Sequence, residues 1–321
     1  MIKVYKNIKD ILQLLEKKEI RENYSPYYNL NYISFYSKNA FILNKIKGVY
    51  PYFIYFSDKD THIVLPLEKK RFRNEYQFFG CGSGIGYQEF LSNQDIQVED
   101  LKRCFKWFFE KHKKAIISLR NYIGPLEIVE FLQGLSIKYS TEVCVKIPAN
   151  RVLSKNMRQN IRTANNRIIK DGHKVEFVNL DINNQNSEMF KSIIKLYLDR
   201  LKKYKHINIL EKLYFSFFDS AFKSIKNVPN SQIVVVLIDG YVASFAFLLS
   251  NKKHYVCPRL AIGSQFYKYS PGIILLEYLH NEICILNKYN SIDLMQGEEV
   301  YKIKLGGEKH HVYSFEINNF F

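Results

Sequence analysis

Three scarcities narrow what this 321-residue sequence can do. No stretch of about 18 apolar residues occurs, the length a helix needs to cross a bilayer. The nearest approach, QIVVVLIDGYVASFAFLLS, is interrupted by Asp239 and Gly240. Cysteine is sparse: Cys81, Cys104, Cys144, Cys257 and Cys284 are odd in number, and no pair stands at a zinc or redox interval. This excludes a disulfide framework and fits free thiols in a reducing compartment. The eight histidines are scattered, His310-His311 stands without sequence partners, and no metal is expected. Acidic side chains are outnumbered 31 to 47, which leaves a net charge of +16. A basic surface favours phosphorylated ligands or nucleic acid over cationic ones. The same surplus accompanies a chain rich in Lys, Asn, Ile, Tyr and Phe together, so charge alone decides nothing about chemistry. The opening MIKVYKNIKDILQLL lacks the apolar core and small-residue cleavage site of a leader. A cytoplasmic protein is expected.

What is present reads as two domains of ordinary size. In the first half, Asp10–Ile20 has the spacing of a short amphipathic helix, and Tyr24–Ala40 reads as aromatic and irregular. Val49–Phe56, Thr61–Leu67 and EYQFFG form a strand meander. A Gly-rich loop, a helix near Val98–Lys113, the strand Ala115–Leu119, a helix at Leu126–Leu132 and the alternating strand Tyr139–Ile147 follow. The second half opens with a basic helix, Val152–Lys170, then a strand at Lys174–Leu180 and helices at Glu188–Lys203 and about Ile209–Phe222. Next comes a second meander. Its first turn is Asp239-Gly240, a type I′ signal that needs φ > 0 at both residues. The third run, His254–Ile262, leads through Tyr269-Ser270-Pro271-Gly272 into a helix to about Asn287, then SIDLM and Gly297–Lys302. Both halves thus give meander, Gly-containing loop, helix and returning strand. The fold class expected is mixed α/β: two domains, residues 1–148 and 149–321, each a mostly antiparallel sheet flanked by helices. The short seam near Pro148–Arg151 suggests tight packing of the two.

Four stretches carry candidate chemistry. GCGSGIG (Gly80–Gly86) has the glycines of a dinucleotide loop, but that fingerprint requires a parallel βαβ unit, and the strands before it read as antiparallel. A ligand-free turn, or a loop whose Gly82, Gly84 and Gly86 let a substrate approach the backbone, stays open. On the basic helix Ser154 is a candidate N-cap, and Arg158 and Arg162 share a face at i, i+4. They grip phosphate, or form a solvated basic face of the usual kind. Tyr269–Gly272 places a helix N-terminus after a meander, where free N–H groups favour an anion. Asp293 ends an apolar strand, and GEEVYK gathers two carboxylates, a phenol and an amine; on spacing alone it is equally a polar turn.

RLAIGSQFYKYSPGIILLEYLHNEICILNKYNSIDLMQGEEVYKIKLGGE resembles the closing half of GNAT-type acyltransferases of the CelD/BcsL kind, relatives of the Fem peptidoglycan aminoacyltransferases. That pattern is S-P-G, a helix, then D-[FL]-x-x-G-[DE]-E-x-Y-K. Here it falls on Ser270, Pro271, Gly272, Asp293, Leu294, Gly297, Glu298, Glu299, Tyr301 and Lys302. SKNMRQNIRTANNRIIKDG is similar to the family's K-x-x-R-x-x-I-[RK]-x-A stretch. Gln296 and Val300 stand where the family often has Arg and Pro. The resemblance implies tandem GNAT-like domains with the active site in a cleft between them. Acyl-CoA, as co-substrate, would lie on Tyr269, Ser270, Pro271, Gly272 and Arg259. Gly82, Gly84, Gly86, Arg158 and Arg162 would serve the acceptor.

Acyl transfer from a thioester to an amine needs a base, donors aimed at the oxyanion and a proton for the thiolate. Asp293 and Glu298 are the candidates for base or amine anchor, Tyr301 for acid, and Lys302 for charge stabilisation. Backbone N–H groups of His254–Ile262 are the candidate oxyanion donors, and Cys257 is read as packing. The function implied is an acyl-CoA-dependent N-acyltransferase acting on a dTDP- or UDP-linked deoxy-amino sugar for surface polysaccharide. The alternatives are a Fem-type aminoacyl-tRNA-dependent ligase, disfavoured by the lack of a sustained heptad, and a non-catalytic nucleotide-sugar-binding protein. Small-molecule substrates are expected as partners, with tRNA entering only in the second reading.

Overall fold

The computed structural model describes residues 1–39, 48–81, 86–180, 188–204, 228–251, 253–286 and 288–318. The expected helix at Ile209–Phe222 and the loop residues Gly82 and Gly84 lie outside them. The described chain forms two compact units, residues 1–142 with 311–321, and residues 143–310. The division falls ahead of the Pro148–Arg151 seam read from sequence, and the chain's last strand returns to the first unit.

The first unit contains β1 (Ile2–Tyr5), α1 (Ile8–Lys17), a 3₁₀ turn at Pro26–Tyr28 and α2 (Leu30–Asn39). Tyr24–Ala40 is therefore more regular than its composition indicates. Buried Tyr32 and Ile33 hold a helix there that propensity alone would not favour. The strands β2 (Val49–Asp58), β3 (Thr61–Lys70) and β4 (Glu75–Phe78) form the expected meander, and β5 (Leu91–Ser92) pairs with β3. After α3 (Val98–Lys111), β6 (Ile116–Tyr122) returns parallel to β4. Helix α4 (Leu126–Leu135) precedes β7 (Lys138–Pro148), which runs from this unit into the next. Phe105 and Phe108 of α3 fill the core against Phe78, Ile117 and Leu119 of the sheet.

The second unit repeats that order. Its elements are α5 (Lys155–Lys170), β8 (Val175–Asn179), α6 (Glu188–Tyr204), β9 (Gln232–Ile238), β10 (Tyr241–Ser250) and β11 (His254–Ile262). A 3₁₀ turn at Ser264–Tyr269 leads into α7 (Pro271–Leu279), which continues as a π-helical turn to Leu286. Then come β12 (Ser291–Gln296), α8 (Val300–Lys304) and β13 (Glu308–Ile317). The strand order in this unit is β7-β12-β11-β10-β9-β8, antiparallel except for β11 with β12. Asp239 and Gly240 have φ of 49° and 79°, as the type I′ reading requires. Ser154 caps α5 by accepting the Met157 N–H at 3.2 Å. α6 buries Phe190, Ile193 and Tyr197, the i, i+3, i+7 face of an amphipathic helix, leaving Ser192, Lys195 and Asp199 on its outer side.

Candidate functional site

The site grows out of β11. Its ladder with β12 covers only His254–Val256 against Ser291–Asp293. Beyond that the strands part for visible reasons. β11 is bulged around Pro258, a residue that cannot donate to a ladder. β12 is deflected at Met295 and Gly297, with φ of 59° and 96°. Among the described residues, the edge of β11 from Cys257 to Ile262 has no strand partner on that side.

Which backbone groups face the opening follows from the register. The Gly263 N–H donates to Ala243 O at 2.8 Å. Bonded and non-bonded pairs alternate along an antiparallel ladder. Ala261–Phe245 and Arg259–Phe247 are then the bonded pairs, and Ile262–Ser244 and Leu260–Ala246 the non-bonded ones. The N–H and C=O groups of Leu260 and Ile262 point away from β10, into the opening. Arg200 of α6 agrees with this, since its guanidinium donates to the Leu260 carbonyl.

A cavity of about 820 Å³ lies along this edge, within the size range of small-molecule sites. Its floor is Leu260–Gln265, one end is Ser270–Ile273, and one wall is the outer face of α6 with Lys195, Asp199 and Arg200. Glu299 and Tyr301 complete it. At the α7 end, Ser270 has φ 50°, and the Ile273 and Ile274 N–H groups both return to its carbonyl. Pro271 has no N–H, so Gly272 supplies the first-turn donor with no acceptor among the described residues. Gly272 is glycine for packing: a Cβ there would stand 2.5 Å from Ile262 Cδ1. A substitution at Gly272 therefore reads packing against β11 before it reads anion binding.

The segment Gly297–Lys302 is a framed turn. The Lys302 side chain is buried, and Nζ is shared among the carbonyls of Leu294, Met295, Gln296 and Gly297 at 3.1, 3.4, 2.9 and 3.0 Å. It also pairs with Glu299 Oε2 at 2.8 Å. Burial would raise the Glu299 carboxyl, but the Lys302 hydrogen bond and the charges of Lys302 and Arg200 hold it below its ordinary range. That carboxylate folds back over Gly297, where a Cβ would meet Glu299 Oε2 at 2.7 Å.

Of the four candidates for chemistry, Tyr301 lines the cavity, whereas Asp293, Glu298 and Lys302 are not among its walls. Asp293 is buried: Oδ1 accepts the Met295 N–H at 2.7 Å, and Oδ2 sits 2.8 Å from His310 Nε2. His310 therefore has a partner that sequence did not reveal. Glu298 is exposed and pairs with Lys309 at 2.5 Å. Ser270, Pro271 and Gly272 line the cavity. Tyr269 instead points inward, its hydroxyl donating to Asp171 Oδ2 at 2.8 Å. Arg259 donates to its neighbour's carbonyl, Pro258 O, at 2.7 Å and lies over the Tyr197 ring, 5.7 Å from its centre. Arg158 and Arg162 are exposed on α5, away from the cavity lining, and Gly86 belongs to the first unit. Cys257 is buried and its thiol is pushed up to about 12 by desolvation, so it supplies no thiolate near neutrality. Glu299, Asp199 and Arg200 were missed. The first stood beside the residue chosen, and the others come from a helix that the motif does not include.

Residues 155–303 match the family model of the acetyltransferase (GNAT) domain. This stretch carries a GNAT-type acetyltransferase fold. No curated protein matches the chain by sequence. Among solved structures, the chain is similar to a conserved protein of unknown function from Bacteroides thetaiotaomicron, with TM-score 0.62, 10% identity, and 99% of this chain and 100% of that one covered. It is similar to FemX, with TM-score 0.59, 10% identity, and 98% and 96% covered. It is also similar to L-PGS from Bacillus licheniformis, with TM-score 0.52, 9% identity, and 84% of each chain covered. At these identities the likeness is one of fold. In the GNAT-type unit the parted β11–β12 pair, with a helix N-terminus at its mouth, is the feature around which the cavity forms.

Proposed function

We propose that the protein is an acyl-CoA-dependent N-acyltransferase acting on the amino group of a nucleotide-linked deoxy-amino sugar. The observation that carries this reading is the opened β11 edge, which aims the Leu260 and Ile262 N–H groups into the same cavity that ends at the α7 N-terminus. The thioester would lie along β11 with its carbonyl oxygen accepting from those N–H groups, which are fixed in place before reaction. Its phosphates would meet the Gly272 N–H and the cations Lys195 and Arg200. The neutral amine forms the C–N bond as the C–S bond breaks. Tyr301 gives its phenolic proton to the departing thiolate and takes one from the nitrogen, so that the products are an amide and a thiol.

The test is thiol release from acetyl-CoA with dTDP- and UDP-linked amino sugars, beside calorimetry of acetyl-CoA alone. Turnover with a nucleotide-linked amino sugar, and an acetyl-CoA affinity lowered at least tenfold by Ser270→Glu, support the reading. Tight acetyl-CoA binding with no turnover on any amine would turn it towards a binding protein. A second reading, transfer from aminoacyl-tRNA, is favoured by one feature. α5 exposes Lys155, Arg158, Arg162, Arg167 and Lys170 and contains no carboxylate. In that case tRNA affinity would fall steeply with salt, and Arg158→Ala with Arg162→Ala would flatten the slope.

A further inference from the structure

The cavity has one wall residue whose placement is over-determined. Glu299 stands two residues after Gly297, whose missing Cβ is the space its carboxylate occupies. Lys302 holds one oxygen, and Lys302 is itself fixed by four backbone carbonyls of the turn. The side chain is still 54% exposed, towards the cavity it lines together with Tyr301. A carboxylate has about four lone-pair sites, so one ammonium behind it does not exhaust it. Adjacent Glu298 is equally exposed but faces Lys309 and is not part of the wall.

We infer that Glu299 is the residue that receives the acceptor's amino group, binding it as an ammonium and making the site selective for amines over hydroxyls. The assignment rests on the N-acyltransferase reading above and adds to it the specificity-determining residue. A carboxylate held below its ordinary range by Lys302 and Arg200 is a weak proton acceptor and a durable counter-charge. Glu299 therefore anchors the amine rather than removing its proton, and the nitrogen that attacks is the fraction that has lost a proton to solvent. Lys302 is the positioning residue, because it acts on the substrate only through Glu299.

The experiment compares two probes by calorimetry: dTDP-4-amino-4,6-dideoxyglucose and its hydroxyl counterpart dTDP-6-deoxyglucose, with acetyl-CoA as a third ligand. Glu299→Gln in the full chain should weaken the amine probe about tenfold or more, leave the hydroxyl probe within twofold, and leave acetyl-CoA unchanged. Glu299→Asp should recover part of the preference. Equal weakening of both probes, no weakening of either, or a loss of preference in Glu298→Gln with Glu299→Gln unaffected would each overturn the assignment while leaving the N-acyltransferase reading in place. A wild-type protein that turns over acetyl-CoA with other amines but binds neither probe would remove the nucleotide-sugar acceptor, and this assignment with it.

Discussion

β4 and β11 hold the same place in the two units, each the last strand of a meander and each paired in parallel with the strand that returns after a helix. They differ in length beyond that pairing. β4 has four residues, and three of them pair with β6. β11 has nine, and only His254–Val256 pair with β12. The surplus in β11 is what opens a cavity edge, and β4 has a single residue beyond its pairing. The loops that follow differ in the same sense. In the first unit the Gly80 N–H donates to Glu68 Oε2 at 3.1 Å, and Gln77 Nε2 to Glu68 Oε1 at 2.6 Å. A buried carboxylate of the chain itself takes the donor at the Gly80 end of that loop, whereas in the second unit the α7 terminus keeps a donor open among the described residues. Among the described residues, one arrangement of strands thus leaves a cavity along its edge in the second unit, according to how far one strand outruns its partner.

Four substitutions test this contrast. The largest effect is expected for Lys302→Met, which strips four carbonyls and Glu299 of their shared donor. Its cost should be on the order of 3 kcal/mol, the upper range for hydrogen bonds to a charged group, read as a lower midpoint in urea. Glu68→Ala should come next, at about 1–3 kcal/mol, because it leaves the buried Gly80 N–H unsatisfied. Acetyl-CoA affinity should not move; a change there would mean that the first unit's loop takes part in binding it. For Asp293→Asn the acceptor of the Met295 N–H survives, but the charge opposite His310 is lost. Thermal stability should fall by a few degrees, with acetyl-CoA affinity retained; a fall in kcat with an unchanged melting temperature would return Asp293 to the chemistry. The smallest effect belongs to Cys257→Ala, which should keep kcat within about twofold.

Two carboxylates, Glu89 of the first unit and Glu299 of the second, are pushed in opposite directions. Glu89 accepts the N–H of Asn23, Tyr24 and Ser25, yet burial outweighs these bonds and raises its carboxyl to about 8. A group raised in the folded state gives stability that is complete below its unfolded value near 4.5 and is lost as pH rises through 8. Urea midpoints should decline across that window, and Glu89→Gln should flatten the decline. Glu299 is depressed instead, so its charge persists on acidification to below the ordinary carboxylate range.

Much of the fold was legible because its signals are local. The Asp239-Gly240 turn, the Ser154 cap and the repeated order of elements each depend on residues a few positions apart. The helix at Leu30–Asn39 was not, since its aromatic and polar run becomes helical through the burial of Tyr32 and Ile33. The site was legible as a neighbourhood: Ser270–Gly272 and Tyr301 were named and they line one cavity. Choosing between Glu298 and Glu299 required knowing which way a turn faces, and that is set by Lys302 and by the empty side of Gly297. Arg200 reaches Leu260 from 60 residues away, and His310 reaches Asp293 from another strand, distances over which spacing carries no information.

The Lys302 ammonium behaves as a counter-ion tethered to the loop it organises. Every bond it makes closes within eight residues of its own position, and the Asp293 acceptor for Met295 lies two residues away. Such short closures cost little chain entropy. The Gly297–Lys302 end of the cavity can then assemble early, before the distant strands that flank it are in register. Unlike a bound metal ion, this cation cannot be withdrawn by a chelator or diluted away. Neutralising the amine, as acylation of Lys302 during an opening of the turn would do, removes the charge that Glu299 and the carbonyls of the turn share.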